Sequence, residues 1–482
     1  MTRTGTVSPF YRQCFVTAAV CGHIIGHGCA LGYPAVLLPK LEAPGSSLPI
    51  TKEMSSWIAS AMAIPMLLGN FMSPPIMDRL GRKTAHYTVA VPVLVGWIVI
   101  IMATSFEALV IGRILHGLSF GLNLPLRSVL IGEYTSPKNR GAFLTMVSLA
   151  QSFGIFFVHL IGSLISWQKT ALICILFSFA SLIMTIYSPE SPSYLAARGK
   201  YDDCREVFRW LRGDEEDDEL DSMIQARQDI KANGVTRRKG AKEMLVTIKK
   251  KEFYKPILLM VHAYAMVEFA GGTTMASYST VIIGLILGPN ANVNFWMIAL
   301  DGQRIISNTA AVYVINRSKR RVMMFSIGTL SAVTHLVIAG YVYGKAGGML
   351  SYDALWIPVL LINLHIFTVA TGMVPLPSVI AGEVFPLEYR SIGGSISIIS
   401  VATVSFLVLK TFPALIDSLG LSGTYVLYSG MIAYFLIVMW FLLPETKGRT
   451  LQEIEDEYKG VRKDNDREVM KPLSDDDKLS KE

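Results

Sequence analysis

Charge is scarce in this chain of 482 residues: 17% are Asp, Glu, Lys or Arg, against about a quarter in an ordinary soluble domain, while 51% are hydrophobic. A soluble multidomain enzyme buries its core with interrupted apolar segments of roughly 4 to 15 residues. Uncharged runs such as Met54 to Met77 and Tyr428 to Leu443 exclude that class. Cysteine is sparse as well. Cys14, Cys21, Cys29 and Cys174 lie in apolar stretches and Cys204 in a charged one, which gives neither a disulfide framework nor metal-ligand spacing. No A-x-A-like cleavage site follows the first apolar segment, so it is expected to stay as a span. No G-x-x-x-x-G-K-[ST] loop and no recognisable nucleophile, base and orienting group are present, so neither an enzyme nor a cofactor is expected. The net charge of +7 would imply nucleic acid only on a soluble surface, and no such partner is expected.

What the sequence has instead is a series of apolar runs long enough to cross a bilayer. They lie near residues 13–38, 54–76, 85–104, 108–132, 142–164 and 169–188, then 256–287, 293–315, 322–344, 355–382, 392–416 and 423–443. The expected fold is an all-α membrane protein of twelve transmembrane helices in two pseudo-symmetric six-helix halves. Its parts are a first half (1–188), a charged central loop with short amphipathic helices (189–255), a second half (256–443) and a polar tail (444–482) whose stretch from Asp464 to Glu482 is expected to be disordered. With the N-terminus inside, 36 of the 44 basic residues fall on the inner side; leaving out the 15 of the long central loop, the inner side still leads 21 to 4. Both termini are therefore expected to be cytoplasmic, with the lipid bilayer as the constant partner.

An internal repeat organises the chain. Asp78-Arg79-Leu80-Gly81-Arg82-Lys83 recurs as Asn316-Arg317-Ser318-Lys319-Arg320-Arg321; Glu133 with Arg140 recurs as Glu383 with Arg390; Pro189-Glu190-Ser191 recurs as Pro444-Glu445-Thr446. Such duplication is typical of secondary transporters, whose solute site lies near the midplane between repeats. Carboxylates at span ends and guanidinium groups on adjoining loops can form bidentate bonds that close the inner face. The expected gate comprises Asp78, Arg79, Arg82, Glu133, Arg140 and Glu190 in the first half and Arg317, Arg320, Glu383, Arg390 and Glu445 in the second. Arg113, inside the fourth span, is costly against lipid and is expected to turn toward a carboxylate such as Glu445 or Glu190.

These motifs, together with Gly112-Arg113, Arg140-Gly141, Gly382-Glu383-Val384-Phe385-Pro386 and Pro444-Glu445-Thr446-Lys447-Gly448, resemble the sugar porter branch of the major facilitator superfamily from about residue 13 to 458. The first span and the ending look most like arthropod facilitated trehalose transporters. The resemblance implies alternating access, transport without ATP, a sugar-class solute and a plasma membrane address; a first span without Asp or Glu favours facilitated diffusion, with Glu268 or a histidine as the titrating alternative, and a monomer is expected to suffice. The pocket departs from that family. Its fifth-span glutamine falls on Ser148, with Gln151 on the same face; its paired glutamines fall on Val267 and Glu268, and its later asparagine on Thr273, beside Thr274. An eighth-span asparagine falls on Arg304 and a tenth-span tryptophan on Ser378; the carboxylate of proton-coupled members would fall near Pro34, in a span without Asp or Glu.

Sugars are usually held by neutral amides and an aromatic face. Here Glu268 and Arg304 either pair across neighbouring spans to hold a polar or charged solute, with Arg127 adding a cation, or form an internal structural ion pair. A porter of a charged organic solute and a transport-inactive solute sensor stay open beside the sugar reading. His23 and His27, four apart on the first span, either line the cavity or pack, and no metal is expected of them. Pro375-Leu376-Pro377 and Gly271-Gly272 are expected to break their spans beside the cavity, or to mark close packing of small residues.

Overall fold

The computed structural model describes residues 8–232, 250–350, 354–385, 390–449 and 451–459, and all of its regular structure is helical. In lipid the backbone must satisfy its own donors and acceptors, and uncharged runs of this length do so as helices. The first six spans are Pro9–Glu42, Lys52–Leu80, Arg82–Ile101, Phe106–Tyr134, Pro137–Leu164 and Trp167–Tyr187. Lys251–Ser277, Arg320–Ala346, Trp356–Val384 and the 50-residue Gly393–Leu442 are also long and apolar enough to cross. The last of these is two spans, the eleventh and twelfth, joined at Gly420, whose φ of 68° ends one helix and starts the next. Val293–Arg317, 25 residues long but carrying Asp301 and Arg304, is the eighth span and completes the twelve.

Two spans are broken where expected. The seventh runs Lys251–Phe269, turns through Gly271 (φ 96°), and continues as Thr274–Ser277 and Ser279–Leu287. The tenth runs Trp356–Thr368, widens into a π turn over Val369–Met373, and resumes at Pro375–Val384. Proline removes an amide donor, and the wider turn absorbs the gap.

Connections alternate between two faces. One, here the loop face, carries the Gly81 turn and the short helices Pro192–Ala197, Tyr201–Arg212, Asp217–Ala232 and Leu451–Lys459; the other is the far face. The tail stretch from Asp464 to Glu482, expected to be disordered, lies outside the described residues, as do residues 233–249 of the central loop. Helices in lipid gain little from hydrophobicity and associate through close backbone packing. A Cβ on Gly154 would sit 2.2 Å from the Ile25 carbonyl oxygen, and one on Gly28 2.3 Å from that of Gln151, so the first and fifth spans touch through glycine. Gly117 and Gly121 bring the fourth span equally close to Met62 and Met66 of the second.

The apolar core shows how the halves relate. One cluster at the far face draws on both, joining Tyr33, Leu37, Trp97 and Val158 with Met275, Tyr278, Ile282 and Phe412. Toward the loop face it divides into a first-half cluster around Val89, Leu126 and Phe143 and a second-half cluster around Met260, Met373 and Phe435. The halves are closed together at the far face and separate toward the loop face.

Candidate functional site

On the loop face the third span begins at Gly81, where φ is 97° and a Cβ would sit 2.2 Å from a Glu190 oxygen. Glu190 accepts from the backbone N–H groups of Arg82 (2.8 Å) and Lys83 (3.2 Å), an anion placed on a helix N-terminus. The Arg82 guanidinium grips Glu133 at the end of the fourth span bidentately, at 3.0 and 2.9 Å, and donates to the Met77 carbonyl at 3.1 Å. The Ser191 hydroxyl closes the ring by donating to Glu133.

The second half repeats this bond for bond. Glu445 accepts from the amides of Arg320 (2.9 Å) and Arg321 (3.1 Å). Arg320 grips Glu383 at 3.2 and 2.9 Å and donates to the Ile315 carbonyl, while the Thr446 hydroxyl reaches Glu383 at 2.6 Å. Burial pushes the Glu445 carboxyl up, but the amides of Lys447, Arg320, Arg321 and Thr446 together hold it below the usual carboxylate range. Each ring ties spans of its own half together.

Other expected gate residues stand at the edge of these rings. Asp78 is 77% exposed with an oxygen 4.0 Å from Arg82, and Arg79 contributes its carbonyl, which accepts from Tyr194 at 3.2 Å. Arg317 stacks on Tyr313 at 4.5 Å. Arg140 makes no ion pair among the described residues and its Nε is buried without a partner; the Arg390 side chain lies outside them. Arg113 corrects the expectation of a carboxylate partner. It is fully buried near the far face and donates to the carbonyls of Ile58 (3.1 Å) and Ala30. Twenty-one residues, about 30 Å of helix, separate it from Tyr134 at the loop end of its span, so neither Glu190 nor Glu445 is within reach.

Midway across, Arg127 of the fourth span meets Gln151 of the fifth at 3.5 Å and faces Tyr264 of the seventh, which bonds Ser378 of the tenth. Ser148 is exposed one turn from Gln151. Asn308 of the eighth span donates to Ser152 of the fifth at 2.6 Å. Glu268 is buried and accepts from Thr273 at 2.5 Å, with Ser405 of the eleventh span beside it. The Thr274 hydroxyl is buried without a partner. The expected Glu268–Arg304 pair does not form. Arg304 has a carboxylate one turn earlier on its own helix, Asp301 at 3.7 Å, whereas Glu268 is bonded into the turn that follows it. Asp301 in turn meets His159 of the fifth span at 2.5 Å.

Sequence reasoning missed Asp301, His159, Tyr264 and the Asn308–Ser152 contact. A usable signal was present for the first: an acid three residues before an arginine in an otherwise apolar span puts both on one face. His23 and His27 match the packing alternative, since both are buried and His27 is bonded to Ser119 at 2.9 Å and Asn123 at 3.3 Å.

Among the described residues, the side-chain bonds joining the two halves begin at Asn308–Ser152 and run to the far face. They comprise His159 with Asp301 and the Ala276 carbonyl, Ser277 to the Leu31 carbonyl, Thr280 to the Ala35 carbonyl, Lys410 to Ser56 at 2.8 Å, and Lys52 to Asp417 at 2.6 Å.

Twelve spans in two repeated halves, sealed together at one face, define a major facilitator fold, and solved structures agree. The MFS proton:xylose symporter XylE bound to 6-bromo-6-deoxy-D-glucose superposes with a TM-score of 0.70 at 17% identity, covering 94% of this chain and all of that one. The inward open xylose transporter XylE from E. coli gives 0.71 at 18%, covering 93% and 100%. A peptide transporter POT in complex with alafosfalin shares the fold too, with a TM-score of 0.62 at 13% identity and coverage of 92% and 100%. The model of the sugar (and other) transporter family matches residues 14–458, and the chain belongs to that family. Curated relatives include the facilitated trehalose transporter Tret1 of Aedes aegypti, 26% identical over 97% of this chain, and that of Apis mellifera ligustica, 26% over 93%. The chain spans 58% of the length of the first and 88% of the second.

Proposed function

We propose that the chain carries a sugar or polyol, of the trehalose or hexose class, across a membrane by facilitated diffusion, the two halves rocking about the central site. The observation that carries this reading is the contrast between the faces: a duplicated ring inside each half at the loop face, and a seam between the halves at the far face. Such a body has two rigid units and one closed end, which is what alternating access requires. Gln151, Tyr264 and Ser378 supply the neutral donors, acceptors and aromatic edge that hydroxyl-rich solutes need. With the loop face cytoplasmic, as the distribution of Lys and Arg supports, both termini are inside, the seam faces outward and the plasma membrane is the address. A monomer suffices, because the central site lies within one chain. The two Arg–Glu rings, which lie within each half and do not close the inner face between them, keep each half rigid while the halves part.

The test is uptake of labelled trehalose, glucose and myo-inositol by cells expressing the full chain, at one fixed pH with and without a protonophore. Saturable uptake indifferent to the protonophore is expected; a protein present at the surface that takes up none of the three overturns the sugar reading. A second reading, a porter of an acidic solute, is favoured by Arg127, which meets an amide but no carboxylate among the described residues. Under it, labelled gluconate enters and Arg127→Gln abolishes its entry.

A further inference from the structure

His159 sits in the seam between the halves, wholly buried, five residues from the far end of the fifth span at Leu164. Its ring is surrounded by oxygens. Nδ1 lies 2.5 Å from the Asp301 carboxylate, and Nε2 lies 3.1 Å from the Gly32 carbonyl and 3.2 Å from that of Ala276. Carbonyls and an ionised carboxylate only accept, so with Asp301 ionised each ring nitrogen carries a hydrogen, which makes the ring an imidazolium; with the proton on Asp301 instead, the pair still holds the same one added proton. Asp301, in a helix that starts at Val293 about 12 Å away, is the counter-charge, and Arg304 flanks it at 3.7 Å. Span one contributes the Gly32 carbonyl, span seven the Ala276 carbonyl and span eight Asp301 with Arg304; beyond them, His365 of span ten faces Arg304.

We propose that His159, Asp301 and Arg304 form a proton-requiring latch, in which one proton taken from the far side completes the seam between the halves and returns to that side when the seam opens. Two partners of the ring, Asp301 and Ala276, belong to the other half, so parting the halves removes both and leaves the imidazole facing far-side water. As the far-side solution becomes alkaline, closing must draw on a scarcer proton and the open state gains. The pair is buried from both faces here, and in the proposed cycle its proton returns to the side it came from and is not carried across. This separates the latch from proton-coupled transport. It rests on the alternating-access reading and not on the identity of the solute.

The measurement uses the purified full chain in vesicles, without solute, carrying Ser277→Cys. Ser277 lies 1% exposed in the same seam, and its replacement reacts with an impermeant maleimide only when the far face opens. Labelling is compared at far-side pH 5.5 and 7.5 and divided by that of the same cysteine in a His159→Gln background, which cancels the thiol's own titration. The expected ratio falls at least threefold in acid, and His159→Lys, charged at both values, stays protected at both. Asp301→Asn raises labelling at both. A ratio equal at the two pH values overturns the latch. So does a lumenal pH dye that reports protons crossing in step with solute, which would make the site a coupling site. Failure of every sugar to enter, with the labelling ratio intact, would sink the sugar reading and leave the latch standing.

Discussion

The two faces hold their charges in opposite ways. At the loop face the span-end Arg–Glu pairs, Arg82–Glu133 and Arg320–Glu383, stay inside one half and repeat; at the far face Lys52–Asp417 and His159–Asp301 cross between halves and have no copy among the described residues. Duplication is what a repeated half can deliver, since each copy builds its own ring from its own spans. A seam joins unlike surfaces, so its charges need no copies. Even the duplicated rings differ where the backbone allows. Gly81 enters its helix at φ 97°, pressed against Glu190, whereas the matching Lys319 enters at φ −67°. The same carboxylate cap is reached by two backbone routes.

The largest effect is expected from breaking a ring. Arg82→Ala leaves Glu133 half-buried without its partner, at about 3 kcal/mol, and Arg320→Ala does the same to Glu383; the melting temperature of purified protein should fall in both by similar amounts. A fall in only one would break the equivalence of the copies. Gly154→Leu follows, since a side chain there meets the Ile25 carbonyl; detergent-stable monomer recovered by size-exclusion chromatography should fall severalfold. Glu445→Gln should lower the melting temperature at pH 7 by a few degrees. A carboxyl held below its usual range lends stability that is present above the unfolded value of about 4.3 and fades as pH falls through the folded one, so the variant and the parent should converge in acid below that range. Lys52→Ala removes an exposed bond between halves, with side chains 68% and 50% exposed, where solvent screening leaves little stability to lose. Its melting temperature should hold while far-side labelling of the Ser277→Cys protein rises slightly. Asp78→Asn, at 4.0 Å from Arg82 and mostly exposed, should leave melting within about 1 °C.

The fold was legible because long uncharged runs have one stable form in lipid, and because Arg82, Glu133 and Glu190 recur as Arg320, Glu383 and Glu445 in register. The central site was legible only in part. Gln151 meets Arg127 and Ser378 meets Tyr264, but Glu268 turned to Thr273 and Arg304 to Asp301, since a partner one turn away is nearer than one on another span. Tyr264 gave no signal, because nothing in its spacing separates a cavity tyrosine from a packed one.

By itself the sequence determined that the chain crosses a membrane, how often, with which face carrying the cations and with what internal symmetry, for these follow from composition and short-range order along each helix. Only the tertiary structure decided which charges meet. Partners such as His159 and Asp301 lie 142 positions apart, and the choice among competing carboxylates depends on helix rotation and depth, which no local pattern encodes.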